Sequence, residues 1–133
     1  MKMTALTGIA GGIISELKQG KPRTLELQSA NNVISIASLE PGPDNHLFLT
    51  SVDLEDLSAG DVGIIVQVLQ VNITMKRMLD YIHPAAYYEE RERLSARVQV
   101  RYCGTSMVKA VSVGTICHPV EVEVVKAAHY RAV

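Results

Sequence analysis

A chain of 133 residues, 47% of them hydrophobic and 20% charged, has the size and composition of one ordinary globular domain, which buries roughly two thirds of the surface it exposes when unfolded. A formal net charge of -1 excludes a general attraction to nucleic acid or anionic membrane, so any polyanion site has to be a local patch. No run reaches the roughly 18 apolar residues of a membrane-spanning helix, and two cysteines, Cys103 and Cys117, are too few for a disulfide framework. The apolar run from Ile9 to Ile14 is too short and too broken by glycine for a secretory signal, so a cytoplasmic chain with reduced thiols and no membrane partner is expected.

In chain order, Met3 to Leu6 is a short apolar opening. Ile9, Ile13, Ile14 and Leu17 then recur at helical spacing until Gly20, predicting a helix over residues 9–18. Pro22 cannot continue it, and Arg23 to Gln28 alternates as a strand with Leu25 and Leu27 inward and Thr24, Glu26 and Gln28 outward. The segment "SANN" reads as a turn, followed by a second strand carrying Val33, Ile34, Ile36 and Leu39, a loop "EPGPDN", a third strand "HLFLTSV" and a turn "SAGD".

The longest apolar segment is "VGIIVQVLQVNITM", residues 62–75, whose polar positions change parity between Gln67 and the set Gln70, Asn72 and Thr74. Strand side chains alternate with period two, so the switch implies a β-bulge near Val68 and Leu69 or a strand that passes from one sheet face to another. In "MKRMLDYI", Met75, Met78, Leu79 and Ile82 form a helical stripe that ends before Pro84. "AAYYEERERL" predicts a further helical turn with Glu89 four residues before Arg93. Three strands follow, over residues 96–102, 107–117 and 119–126, the last with Val120, Val122 and Val124 opposed to Glu121 and Glu123. About seven short strands without βαβα alternation predict one mainly β domain of the α+β class over residues 1–133, a small mixed β-barrel with two or three helices.

Two polar clusters carry chemistry. Lys21, Arg23 and Thr24, followed by Glu26 and Gln28, place two cations, a hydroxyl and a carboxylate at one strand start, where charge-assisted bonds could hold a phosphate or a nucleobase edge. The plainer alternative is a solvated strand face on which Glu26 pairs with a cross-strand cation. On the strand "RVQVRY", Arg97, Gln99 and Arg101 share one face, with the arginines about 6.5 to 7 Å apart, close to the phosphate spacing of a single nucleic-acid strand. Tyr88 or Tyr102 could stack beside them, while Glu89, Glu90 and Glu92 offer local partners that would neutralise the arginines. No G-x-S-x-G, P-loop or H-E-x-x-H is present; Cys103, Cys117, His118 and His129 form no C-x-x-C knuckle, so no metal site and no cofactor are expected.

The order of helix, "GKPRTLEL" strand, "HLFLTS", "SAGD" turn and "VGIIVQV" strand resembles the PUA-like superfamily, ASCH branch, over residues 9–70. Arg23, Thr24, Glu26 and Gln28 stand in order at that branch's Lys, Thr, Glu and Arg positions, with glutamine in place of the final arginine. Over its whole length the chain also resembles an archaeal family of uncharacterised proteins, a domain of unknown function, whose members similarly carry "RT.E..SA.N" and "YEER...ARVQ" segments. The PUA-like resemblance implies a barrel whose groove, between the first helix and the "GKPRTLEL" strand, accepts RNA or a small modified nucleotide through Lys21, Arg23, Arg97 and Arg101. Some ASCH-like proteins are similar to small amidohydrolases acting on acylated pyrimidine nucleosides; in that reading Thr24 is the nucleophile, Lys21 or Arg23 activates it or stabilises the oxyanion, with only Lys21 able to serve as a base, and Glu26 moves protons. A third reading is a homo-oligomeric interaction protein that associates through the Met75–Ile82 stripe, although methionine stripes are more often core.

Overall fold

A computed structural model describes residues 2–37, 39, 42, 44–82, 87–112 and 120–126, with the side chains of residues 30, 74–82, 87–94 and 126 left undescribed. The elements are β1 (Lys2–Leu6), α1 (Gly11–Leu17), β2 (Arg23–Leu27), α2 (Ala30–Ala37), β3 (His46–Leu49), a 3-10 turn (Leu54–Asp56), β4 (Val62–Ile82), β5 (Tyr87–Ser112) and β6 (Glu121–Lys126). Among the described residues the chain is mostly β-sheet with two helices, which is the expected α+β, mainly β class. No described helix is long and apolar enough to cross a membrane.

The strands run in the order β2-β5-β4-β3-β1-β6, and β5 pairs with β6 as well, so the hydrogen bonding completes a circuit through β6, β1, β3, β4 and β5. Only the β1–β3 pair is parallel among the described pairings. A single strand can serve three neighbours because β5 is long: β4 runs beside it from Tyr87 to Met107, while β2 takes Ala96–Val100 and β6 takes Ser106–Ser112. Register shifts bend it to that purpose. The expected bulge is present, since Val68 pairs with Val100 and Gln70 with Gln99, leaving Leu69 as the extra residue. Cys103 is extra between the pairs Val66–Tyr102 and Ile65–Gly104, and Lys109 between Val108–Val124 and Ala110–Glu123. Each insertion kinks its strand and tightens the local twist.

Two apolar clusters result. Leu25 and Leu27 of β2, Val98 and Val100 of β5, Ile64, Val66 and Val68 of β4, and Leu47 and Leu49 of β3 pack with Leu17 of α1 and Val33 and Ile36 of α2. Phe48 faces the other way, into a cluster with Met3, Ala5, Val108, Val122 and Val124. Because β3 is buried on both faces, its sequence is a continuous apolar run rather than an alternation. Gly63 is required beside it, since a Cβ there would meet the Leu49 carbonyl oxygen and stand 2.5 Å from Phe48 Cζ.

Three expectations need correction. The expected strand through Val33, Ile34, Ile36 and Leu39 is α2, because Ser29 caps a helix there: Asn32 N–H donates to Ser29 Oγ at 3.2 Å and Val33 N–H to Ser29 O at 3.0 Å. Its buried positions, Asn32, Val33, Ser35 and Ile36, follow the helical period. The expected helices in "MKRMLDYI" and, from Tyr87 onward, in "AAYYEERERL" are the distal arms of the β4–β5 hairpin, paired from Thr74↔Ser95 to Ile82↔Tyr87, while residues 83–86 lie outside the described residues. Residues four apart on a strand stand about 13 Å apart, so the Glu89–Arg93 spacing loses its helical meaning; instead Arg77 falls opposite Glu92 in register. Finally, the strands expected over 96–102 and 107–117 are one continuous β5 as far as Ser112, and residues 113–119 lie outside the described residues.

Candidate functional site

The segment that leaves β1 is tied down by its backbone. Thr50 N–H donates to Leu6 O at 3.1 Å, Gly8 N–H to Val52 O at 2.9 Å and Ile9 N–H to Thr50 O at 3.0 Å, which carries the β1–β3 pairing past the strand ends. Gly8 makes the turn with φ 66, and the Asp53 carboxylate sits over it, 3.2 Å from where a Cβ would stand. Asn32, buried on α2, clasps the same segment: its Oδ1 accepts from Thr7 N–H at 3.1 Å and its Nδ2 donates to Thr7 O at 2.9 Å. One amide side chain therefore satisfies both polar groups of a buried peptide and fixes α2 against the start of α1.

Between these tethered pieces lies a groove of about 580 Å³. It is lined by Ile9, Ala10 and Ile13 around the start of α1, by Asp53 to Glu55 at the start of the 3-10 turn, by Leu25 to Ser29 in and after β2, and by Asn31 and Asn32 of α2. Its size falls in the range of small-ligand sites. Among the described residues three carboxylates line it, Glu26, Asp53 and Glu55, and no lysine, arginine or histidine does. A second cavity of about 500 Å³ shares Glu26 and Gln28 with it and adds Asn72, Ile73, Ser95, Ala96 and Arg97.

The residues singled out from the sequence separate into groups. Lys21 is exposed in the turn before β2 and lines none of the described cavities. Arg23 is held by Glu16 of α1 in an ion pair. Thr24 is exposed opposite Gln99, and Glu26 is opposite Arg97, whose guanidinium stands 2.8 Å from its carboxylate; this is the cross-strand pair of the plainer reading. Both partners are about two thirds exposed, at 65% and 63%, so the pair is a weak tether that nevertheless occupies both charges. Gln28 lies at the groove and at the second cavity beside it. Arg101 is exposed opposite Gln67, its carbonyl accepting from the Cys103 thiol at 3.7 Å. Tyr102 packs on the core and bonds its hydroxyl to Thr105 Oγ1 at 2.9 Å, so it is not a free stacking surface.

Val98 and Val100 are buried beneath this face as expected. The side chains of Tyr88, Glu89, Glu90 and Glu92 are outside the described set, as are Cys117, His118 and His129. Cys103 is an exposed free thiol. Among the described residues, no three of His, Cys, Asp or Glu are grouped to hold a metal ion. Sequence reasoning placed Glu26 and Gln28 but missed Asp53, Glu55, Asn31 and Asn32. The legible signal was Ser29 three residues before Asn32, a capping pattern at the mouth of the groove.

Among solved structures, the chain is similar to the N-terminal domain of a Mycobacterium avium complex Lon protease, with a TM-score of 0.57 and 15% sequence identity. The match covers 100% of this chain and 58% of that one, and at this identity it is a likeness of fold alone. No curated protein matches the chain. The family model that matches, over residues 1–122, is described as Protein of unknown function (DUF473), and a match over most of the length means that the chain belongs to that family.

Proposed function

We propose that the protein is a binding module built on a small PUA-like β-barrel, with its ligand in the groove between α1 and β2. The circuit of strand pairings supports the barrel, and the strand "RTLEL" beside a groove of about 580 Å³ carries the binding reading. Hydrogen-bonding groups from Glu26, Gln28, Asn31 and Asp53 surround apolar Ile9, Ile13, Leu25 and Leu54, a mixture suited to orienting one ligand by a few polar contacts.

The electrostatics select among ligands. Phosphates would meet three carboxylates in the groove, and two of the four cations expected to hold RNA, Arg23 and Arg97, are occupied by Glu16 and Glu26. A neutral or cationic ligand is favoured over a polyanion, and a nucleotide would have to present its base rather than its phosphate. The amidohydrolase reading needs Lys21, Thr24 and Glu26 together. Lys21 lines no described cavity and Glu26 is engaged by Arg97, so binding is favoured over catalysis. The oligomer reading rests on Met75 to Ile82, whose side chains are outside the described set.

The test is amide chemical-shift mapping on the isotope-labelled chain, titrated with nucleosides, mononucleotides, single-stranded RNA and short peptides. Shifts confined to Ile9–Ile13, Leu25–Ser29 and Asp53–Glu55 support the groove. RNA-induced shifts centred on Gln99 and Arg101, weakening linearly with log salt, would move the site to the β5 face. No shift at the groove with any ligand would refute the proposal.

A further inference from the structure

Five residues of β2 pair with β5, and among the described residues no strand pairs with the other edge of β2. No other described hydrogen bond reaches the backbone of Arg23 to Gln28. In an antiparallel ladder the backbone groups of alternate residues point away from the partner strand, so β2 presents a row of donors and acceptors with no partner. That row faces the groove. Leu25 and Leu27 project to the buried face of the sheet and Glu26 and Gln28 to the outer face, yet all four line one cavity. A cavity that touches side chains from both faces of a strand meets that strand edge-on.

Natural proteins cover or charge an open strand edge. Here the Arg23–Glu16 ion pair ties the beginning of β2 to α1, while Leu25 to Gln28 stay open along about 10 Å of extended chain. Ile9, Ala10, Ile13 and Leu54 line the same groove with apolar and small side chains, and Asp53 and Glu55 supply negative charge with no cation among its described lining residues, Glu26 being paired with Arg97.

We infer that the groove receives an extended peptide segment of a partner protein, which adds as a strand to the free edge of β2 and carries lysine or arginine at alternate positions. Main-chain bonds to Leu25–Gln28 supply affinity without side-chain identity. The apolar lining takes small aliphatic side chains, and Asp53 and Glu55 select the cations. This names the ligand of the groove proposed above and rests on that reading.

The experiment uses fluorescein-labelled, acetylated octapeptides on the full chain: alternating Lys and Val, alternating Glu and Val, and the Lys–Val peptide with proline at two central valine positions. Fluorescence anisotropy should show binding of the Lys–Val peptide, at least tenfold weaker binding of the Glu–Val peptide, and at least tenfold loss with the prolines, which lack the donor that strand addition needs. Glu55→Lys, an exposed change outside the core, should weaken the Lys–Val peptide by several-fold and strengthen the Glu–Val peptide. Amide exchange read by NMR should slow at alternate residues of Leu25–Gln28 in the complex.

Equal affinity for the proline peptide, or no exchange protection on β2, would overturn strand addition. Preference for the Glu–Val peptide would overturn the charge assignment. A concentration-dependent doubling of mass, with the same β2 protection in the absence of peptide, would assign the edge to a second copy of this chain. If nucleosides shift the groove amides and no peptide does, the peptide inference falls while the binding module stands; if nothing shifts them, both fall.

Discussion

Asn32 ties the groove to the stability of the fold, and its replacement tests that link. Its side chain is 6% exposed and makes two bonds, 3.1 Å from Thr7 N–H and 2.9 Å to Thr7 O, with Thr7 itself 8% exposed. Asn32→Leu keeps the volume but leaves the Thr7 donor and acceptor buried without partners, at a cost of about 1 to 3 kcal/mol each. The groups belong to one peptide segment that can move slightly toward solvent, so the lower half of the range applies, about 3 kcal/mol in all. With a urea slope on the order of 2 kcal/mol per M, the unfolding midpoint should fall by about 1.5 M with the slope unchanged. Urea unfolding followed by far-UV circular dichroism measures this, and hydrogen exchange at the Thr7 amide should accelerate in the same variant. A midpoint within about 0.25 M of wild type, the scatter of an ordinary surface change, would mean that the clasp does not anchor α2 to the β1 exit and would refute the reasoning.

Gly63→Ala sets a methyl against the Leu49 carbonyl and the Phe48 ring, neither of which is a flexible chain end, and should lower stability by about 3 kcal/mol or prevent folding; soluble yield and thermal midpoint read this out. Ser35→Ala removes a buried hydroxyl without a protein partner from the middle of α2 and adds helix propensity, so it should raise the thermal midpoint, by a stability gain of about 1 kcal/mol. A double-mutant cycle between Arg97→Ala and Glu26→Ala should return a coupling of about 0 to 1 kcal/mol that vanishes at 1 M salt, because both groups are well exposed.

The local elements that survived from sequence to structure share a cause. In β2 and β6 one face is buried and the other is wet, so Leu25 and Leu27, or Val122 and Val124, alternate with polar residues and read as strands. The parity change at Gln67 and Gln70 reported the Leu69 bulge for the same reason. In α2 the β-branched Val33, Ile34 and Ile36 read as a strand because propensity was weighed above the Ser29 cap. The distal hairpin failed in the opposite direction. Its residues carry helical spacing, but the ladder that begins at Val62↔Met107 continues past Thr74↔Ser95, and each added pair extends an existing register at little entropic cost.

The site divides in the same way. Residue type and spacing singled out Glu26 and Gln28 on "GKPRTLELQ", both of which line the groove, and the plainer alternative, in which Glu26 pairs with a cross-strand cation, corresponds to the Arg97 pair. Local pattern also determined which faces of β2, β4, β5 and β6 are apolar, because burial of one sheet face writes a period of two directly into the chain. Only the tertiary structure decided that Arg23 and Arg97 are occupied, that Asp53 and Glu55 line the same groove as Glu26, and that among the described residues one edge of β2 has no partner strand. Those facts join residues as far apart as Glu26 and Arg97, 71 positions along the chain, and depend on which edges of β5 are taken by β4, β6 and β2. Strand pairing at such separations leaves no periodic trace in a single sequence, since the backbone groups that make it are the same in every residue.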